Sequence, residues 1–147
     1  MSPRKIIPAI IGATYVQIEK QMKVFEDHTE WMHLDVTDDK FTSIASWPVN
    51  LSGKGAIENL HFLDGRTKIE VHLMVEEPEA IVRDWSKIAD RIIVHHEATD
   101  HFGEIVDFLS PSIVKLGVAL LLPTPIEVLI PHLPKINFVQ LMSIAEI

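Results

Sequence analysis

Cysteine is absent from this chain of 147 residues, which excludes a disulfide framework and a thiolate metal site and fits a reducing compartment. Positive charge is also scarce. The 13 lysine and arginine residues stand against 21 aspartate and glutamate residues, and the formal net charge is -8. Because the chain is acidic and shows no basic patch, we do not expect nucleic acid as a partner.

The chain has no apolar run long enough to span a membrane, since Pro8 and Gly12 interrupt the short apolar stretch near its start. That stretch also lacks the small-residue cleavage site of a secretory signal. These absences predict a cytoplasmic protein with no membrane partner. What is present, 47% hydrophobic and 23% charged residues without a linker or low-complexity segment, predicts one globular domain over residues 1–147.

Strand-like and helix-like patterns alternate along the chain. Predicted strands cover residues 5–10, 31–36, 68–75, 91–97, 113–122 and 136–144, and predicted helices cover 14–28, 55–63, 77–89, 101–109 and 124–133. The last helix is short, because Pro131 interrupts it. This alternation predicts parallel βα units, and the nearly continuous apolar strands predict a sheet covered on both faces. Either an open doubly wound sheet or part of a (β/α)₈ barrel fits, and the length favours the open sheet because a barrel needs about 250 residues.

Polar residues gather where the predicted strands end. In "WMHLDVTDDKF" the two-residue repeat of a strand places His33 and Asp35 on one face, where they can serve as two metal ligands or as a base and its partner. His72, His95 and Glu97 also lie at or near strand ends. Parallel α/β folds build their sites at these carboxyl ends, so we expect the group to cluster.

Four motifs together, "HLDVTDDKF", "VHLMVEEPE", "IIVHHEAT" and "GVALLLPTPIE", resemble the ribulose-phosphate 3-epimerase family in order and spacing. The resemblance implies a (β/α)₈ TIM barrel, of which this chain holds about six βα units. It also implies metal-assisted epimerisation at C3 of a phosphorylated ketose through an enediolate, by two acid/base groups on opposite faces.

The resemblance assigns roles to matching positions. It implies that His33, Asp35 and His72 are ligands of a divalent metal, which could be zinc, iron(II), manganese or cobalt. Asp35 is also implied to be a catalytic acid/base. His33, His72 and Met74 are implied to contact the substrate.

Several departures from the family pattern leave other interpretations open. Ala9 and Gly12 replace two serines of the family pattern, and the 147 residues stop at "LMSIAEI", before a glycine-rich loop and a second aspartate of the family. "SGKG" at residues 52–55 fits no phosphate-loop spacing well. The chain is therefore either a fragment or a divergent member. The alternative to an epimerase is a catalytically impaired or non-catalytic sugar-phosphate or metal-binding relative, and we expect the isolated chain to be a poor or inactive epimerase.

Six strands do not close an eight-stranded barrel, so the first and sixth strands are expected to be edges that favour a homo-oligomer. The remaining polar residues have structural interpretations. We expect His95 and His96 to be hydrogen-bonded structural residues. A solvated loop or turn pair is one interpretation of Asp38 and Asp39, and we favour it for Asp39. Glu76, Glu77 and Glu79 are expected to favour a helix N-terminus, and nothing more.

Overall fold

A computed structural model describes residues 5–49, 57, 60 and 67–143, and it contains a parallel sheet of six strands within those residues. The strands lie side by side in chain order. They are β1 (Ala9–Ile10), β2 (Trp31–Thr37), β3 (Lys68–Met74), β4 (Arg91–His95), β5 (Lys115–Leu120) and β6 (Phe138–Leu141). Every neighbouring pair is parallel, which confirms the predicted α/β fold.

Three α-helices in the described part of the chain connect these strands: α1 (Tyr15–Phe25), α2 (Glu79–Trp85) and α3 (Phe102–Leu109). The sequence explains the start of α1, because Thr14 and Gln17 form a capping box that satisfies free amides at the helix N-terminus. Two short 3₁₀ helices, His96–Ala98 and Ile126–Leu129, follow β4 and β5. No helix among the described residues combines the length and apolar character needed to cross a bilayer.

The sheet is strongly curved. In a flat sheet β3 and β6 would lie about 14 Å apart, since neighbouring strands are separated by about 4.8 Å. Instead, the side-chain amide nitrogen of Gln140 on β6 lies 3.3 Å from Nδ1 of His72 on β3. The inner faces of the two strands therefore look toward each other. Six parallel strands curled in this way are consistent with part of a (β/α)₈ barrel, as the family resemblance implied, rather than with the open sheet.

The outer face of the sheet and the helices share one apolar core. Alternate residues of the central strands are fully or almost fully buried there, among them Leu34, Val71 and Val118, and they pack with helix residues such as Ile18 and Trp85. Burial of the outer-facing residues leaves the opposite face of each strand to line the barrel interior. The polar residues of β2, β3 and β4 lie on that inner face.

Several predicted boundaries were too long. The first strand was expected over residues 5–10 but covers only Ala9–Ile10, and Pro8, which has no N–H to donate, contributes just its carbonyl to the His33 amide. The strand predicted over 91–97 ends at His95, so His96 and Glu97 belong to a 3₁₀ turn. The short helix predicted over 124–133 covers only Ile126–Leu129, and it ends before Pro131, which was expected to interrupt it.

The helix predicted over 55–63 lies almost entirely outside the described residues, and so does the "SGKG" segment at 52–55. The first and sixth strands are the two outer strands of the described sheet, as predicted.

Candidate metal centre and active site

The polar cluster forms where β2 and β3 run side by side. Asp35 lies opposite His72 in the strand register, and His33 lies opposite Glu70. Oδ1 of Asp35 is 3.0 Å from Nε2 of His33 and 3.2 Å from Nδ1 of His72. One nitrogen of each imidazole therefore faces the same carboxylate, and we call these three residues the His–Asp–His cluster.

Asp35 is the accessible member of the cluster. Its side chain is 22% exposed, whereas that of His72 is only 2% exposed. Both imidazole contacts are made to Oδ1, so Oδ2 of Asp35 has no partner among the described residues. An incoming molecule can approach this carboxylate without displacing a contact that a described residue makes to Oδ2.

A buried carboxylate fixes the other side of His33. Oε1 of Glu70 is 2.8 Å from Nδ1 of His33, and Oε2 accepts a hydrogen bond from the Arg91 guanidinium at 3.1 Å. The guanidinium carbon of Arg91 lies 3.8 Å from the centroid of the Trp31 ring and 5.3 Å from that of Phe138. A carboxylate that holds the second nitrogen of a metal-binding histidine is a common supporting contact in metal sites.

The charges of His33 and Asp35 stabilise each other. Burial alone would lower the pKa of His33, but hydrogen bonds to Asp35 and Glu70 outweigh it and raise this pKa to about 9. Burial alone would raise the pKa of Asp35, but hydrogen bonds from His33 and His72 lower it to about 2. At neutral pH the protein without a bound metal therefore holds an imidazolium beside two carboxylates.

His72 and His95 are neutral at the same pH. Burial lowers the pKa of His72 against the attraction of Asp35. Burial, together with repulsion from His72, lowers the pKa of His95 to about 4. The two rings stack with centroids 5.0 Å apart, and their Nε2 atoms are separated by 3.0 Å. His95 was expected to lie near the other polar residues at the strand ends and to be a hydrogen-bonded structural residue, and it contacts the cluster through His72.

The loop after β2 has a structural aspartate. Asp38 is only 6% exposed, so it does not form a solvated pair with Asp39. Its carboxylate accepts hydrogen bonds from the amides of Lys40, Phe41 and Glu76, which ties this loop to the end of β3. Asp39 is exposed, as predicted for a turn residue.

An open cleft of about 370 Å³ lies beside the ends of β3 and β4. Its lining includes Glu76, Glu77, Glu97 and Asp100 against one lysine, Lys40. Carboxylates repel phosphate, so the described walls of this cleft do not form a phosphate-binding site.

The His–Asp–His cluster fits a divalent metal. Each of the three residues offers one ligand atom, and these atoms lie within 4.8 Å of one another. Ligand atoms around a tetrahedral ion at bonds of about 2.1 Å lie about 3.4 Å apart, close to the spacing of the cluster. Two imidazoles and a carboxylate suit zinc, iron(II), manganese and cobalt, so the donor set agrees with the expected metals without choosing among them.

The structure thus brings together His33, Asp35 and His72, the three predicted ligands. Met74 follows His72 by two residues on the same strand face and is 7% exposed. Sequence reasoning missed Glu70, Arg91 and Gln140. A signal for Glu70 was present, because it is a charged residue two positions before His72 and therefore lies on the same face of the strand.

Comparison with known proteins agrees with this architecture. Residues 5–146 match the ribulose-phosphate 3 epimerase family. Ribulose-phosphate 3-epimerase of Schizosaccharomyces pombe is 28% identical over 147 residues, which cover 98% of this chain and 63% of that relative. The Synechocystis sp. enzyme of that name is 31% identical over 143 residues, covering 95% of this chain and 60% of the relative. The Bacillus subtilis enzyme is 28% identical over 143 residues, covering 95% and 63%.

The chain therefore spans about 60% of the length of these curated relatives. The family match nevertheless extends over nearly all of its residues, including every strand described above. The chain belongs to the ribulose-phosphate 3 epimerase family.

Proposed function

We propose that this chain carries the metal-binding half of a ketose-phosphate 3-epimerase site, in which His33, Asp35 and His72 hold a divalent metal. The observation that carries the proposal is the convergence of the His–Asp–His cluster on the inner face of a curved parallel sheet. The proposed substrate class is a phosphorylated ketose, as for the relatives named ribulose-phosphate 3-epimerase.

Asp35 is proposed to move the proton at C3 of the substrate. Its carboxylate is ionised at neutral pH, and the partner-free Oδ2 is the atom that would accept the proton. A carboxylate with a pKa of about 2 is a weak base, so the C3 proton must first be made more acidic. When bound, the metal supplies that effect by Lewis-acid polarisation of the neighbouring carbonyl.

The other residues are proposed to orient this reaction. Glu70 and Arg91 keep the His33 ring in place, and the buried position of His72 excludes water from one side of the cluster. Met74 would supply an apolar wall next to the substrate, as the family resemblance implies. Proton removal at C3 leaves an enediolate, which must be reprotonated on the opposite face for inversion.

Exchange of the substrate's C3 proton with solvent deuterium tests the role of Asp35 in proton removal, separately from complete inversion at C3. Zinc-loaded chain and ribulose 5-phosphate are incubated in D₂O, and deuterium at C3 is followed by NMR. We expect Asp35→Asn to slow exchange by at least about 100-fold, which is the lower end of a general base contribution. Asp39→Asn, an exposed substitution in the following loop, should leave the rate unchanged. Equal exchange by Asp35→Asn and the wild type would overturn the assignment.

We also propose that the chain associates with copies of itself in the cytoplasm. Supporting features are the two outer strands of the described sheet and the apolar side chain of Leu141 on β6, which is 83% exposed. Light scattering at micromolar concentration should give a mass above one chain, and a stable monomer would contradict self-association. A fluorescent fusion that collects outside the cytoplasm would contradict the location.

A further inference from the structure

His95 is a buried histidine on β4 that the proposed chemistry does not use. It is 0% exposed, and the Phe41 ring packs on it with centroids 5.0 Å apart. Its Nε2 lies 3.0 Å from Nε2 of His72. Its Nδ1 has no hydrogen-bond partner in the described part of the chain. The packing therefore fixes a ring whose two nitrogens have very different surroundings.

The contact between the two Nε2 atoms requires one donor and one acceptor. A ring nitrogen either carries a proton and donates, or carries a lone pair and accepts. His72 presents Nδ1 to the His–Asp–His cluster, and a nitrogen that binds a metal must offer its lone pair. The proton of a metal-binding His72 must therefore lie on Nε2, where it faces His95.

The surroundings of His95 suit the acceptor role. If Nε2 of His95 accepts from His72, its own proton lies on Nδ1. That atom is 3.6 Å from Oε2 of Glu97, which also lacks a hydrogen-bond partner among the described residues. Oε1 of Glu97 accepts a hydrogen bond from the Leu121 amide at 2.8 Å, so the carboxylate is anchored beside the ring. The two partner-free atoms therefore complement each other as donor and acceptor.

Nδ1 of His72 faces two different partners. The carboxylate of Asp35 lies 3.2 Å from it and favours a proton there in the metal-free chain, whereas the side-chain nitrogen of Gln140 lies 3.3 Å away and can donate to a lone pair. When a metal takes the lone pair of Nδ1, the proton of His72 moves to Nε2, where His95 is the available acceptor.

We propose that His95 is a positioning residue that keeps the proton of His72 on Nε2 and so directs Nδ1 of His72 at the metal. The proposal rests on the proposed metal-binding function of the cluster. Contacts to the second nitrogen of a histidine ligand typically change metal affinity by about 10–100-fold. His95 reaches the ion only through His72, and its substitution acts on that ligand.

Zinc affinity tests the proposal when measured by competition with a chromophoric chelator on the full chain. His95→Leu removes the acceptor and should weaken zinc binding by about 10–100-fold. His95→Gln places an amide oxygen near the Nε2 position and should keep affinity within about threefold of the wild type. His96→Leu is the matched control, because the adjacent His96 ring packs on Phe102 instead of the cluster, with centroids 5.2 Å apart.

The tautomers provide a readout that needs no substitution. In zinc-loaded wild-type chain with ¹⁵N-labelled histidine, long-range ¹H–¹⁵N correlation should show the proton of His72 on Nε2 and that of His95 on Nδ1. A proton on Nε2 of His95, or equal zinc affinity of His95→Leu and His96→Leu, would overturn the role of His95. Absence of zinc binding by the wild type would instead overturn the proposed metal centre, so the two failures are distinguishable.

Discussion

Glu70 should be the most important supporting charge of the candidate site. Its side chain is 8% exposed and contacts two cationic groups, His33 at 2.8 Å and the Arg91 guanidinium at 3.1 Å. Glu70→Gln keeps the size of the side chain and removes its charge. The substitution leaves two partly buried cationic groups with one anionic partner fewer.

Removal of one partner from a buried ion pair costs about 3–5 kcal/mol. The lower end applies here, because the Arg91 side chain is 32% exposed and His33 can release its proton. We therefore expect Glu70→Gln to reduce the free energy of unfolding by about 3 kcal/mol. The assay is urea denaturation at pH 7, followed by circular dichroism, with the slope checked against the wild type.

The control is Asp107→Asn, which removes the partner of Lys135 from an ion pair whose side chains are 52% and 69% exposed. That loss should stay below about 1 kcal/mol, as for other surface pairs. In Glu70→Gln, NMR titration should also show the pKa of His33 below the wild-type value, since one of its two anionic partners is gone. A stability loss as small as that of Asp107→Asn would refute the reasoning.

Three further results are expected. Because the pKa of His33 is raised to about 9, its contribution to stability is complete below about pH 6.5 and disappears as the pH rises through 9. The urea concentration at the unfolding midpoint should therefore decrease as the pH is raised from 7 to 10, and the decrease should be smaller in His33→Gln. Glu77 has a positive φ of 51°, so Glu77→Asn should stabilise the chain by about 0.5–1 kcal/mol in the same assay, and a loss would contradict this. A Cβ at position 117 would lie 2.4 Å from Cζ of Phe138, so Gly117→Ala should lower stability by about 1–3 kcal/mol, and thermal unfolding at an unchanged midpoint would disprove the close approach.

Much of the fold could be predicted because local patterns express it. The apolar strands, their parallel order and the Thr14 cap follow from periodicity and from side-chain chemistry within a few residues. The interruption of the last helix at Pro131 was predicted, but the start of β1 was harder to predict, because the apolar pattern continues across Pro8.

The candidate site also contains residues that the sequence predicts and contacts that it does not. His33 and Asp35 share a strand face by simple alternation, and the family resemblance adds His72. The contact of His72 with His95 joins neighbouring strands and residues 23 positions apart, whereas its contact with Gln140, 68 positions away, depends on curvature of the sheet. Local sequence patterns specify neither this curvature nor the orientation of side chains between strands. The sequence therefore predicted that His95 would lie near the cluster, but not its contact with His72.

The most direct test of the metal centre is a calorimetric titration of metal-free chain with zinc. We expect one site per chain, at least about 100-fold weaker in His72→Ala, which loses a ligand. Titrations at pH 7.5 in two buffers of different ionisation enthalpy should also show about one proton released per zinc, because His33, with a pKa of about 9, must lose a proton to bind. Undetectable zinc binding, or equal binding by His72→Ala, would contradict a metal centre at His33, Asp35 and His72.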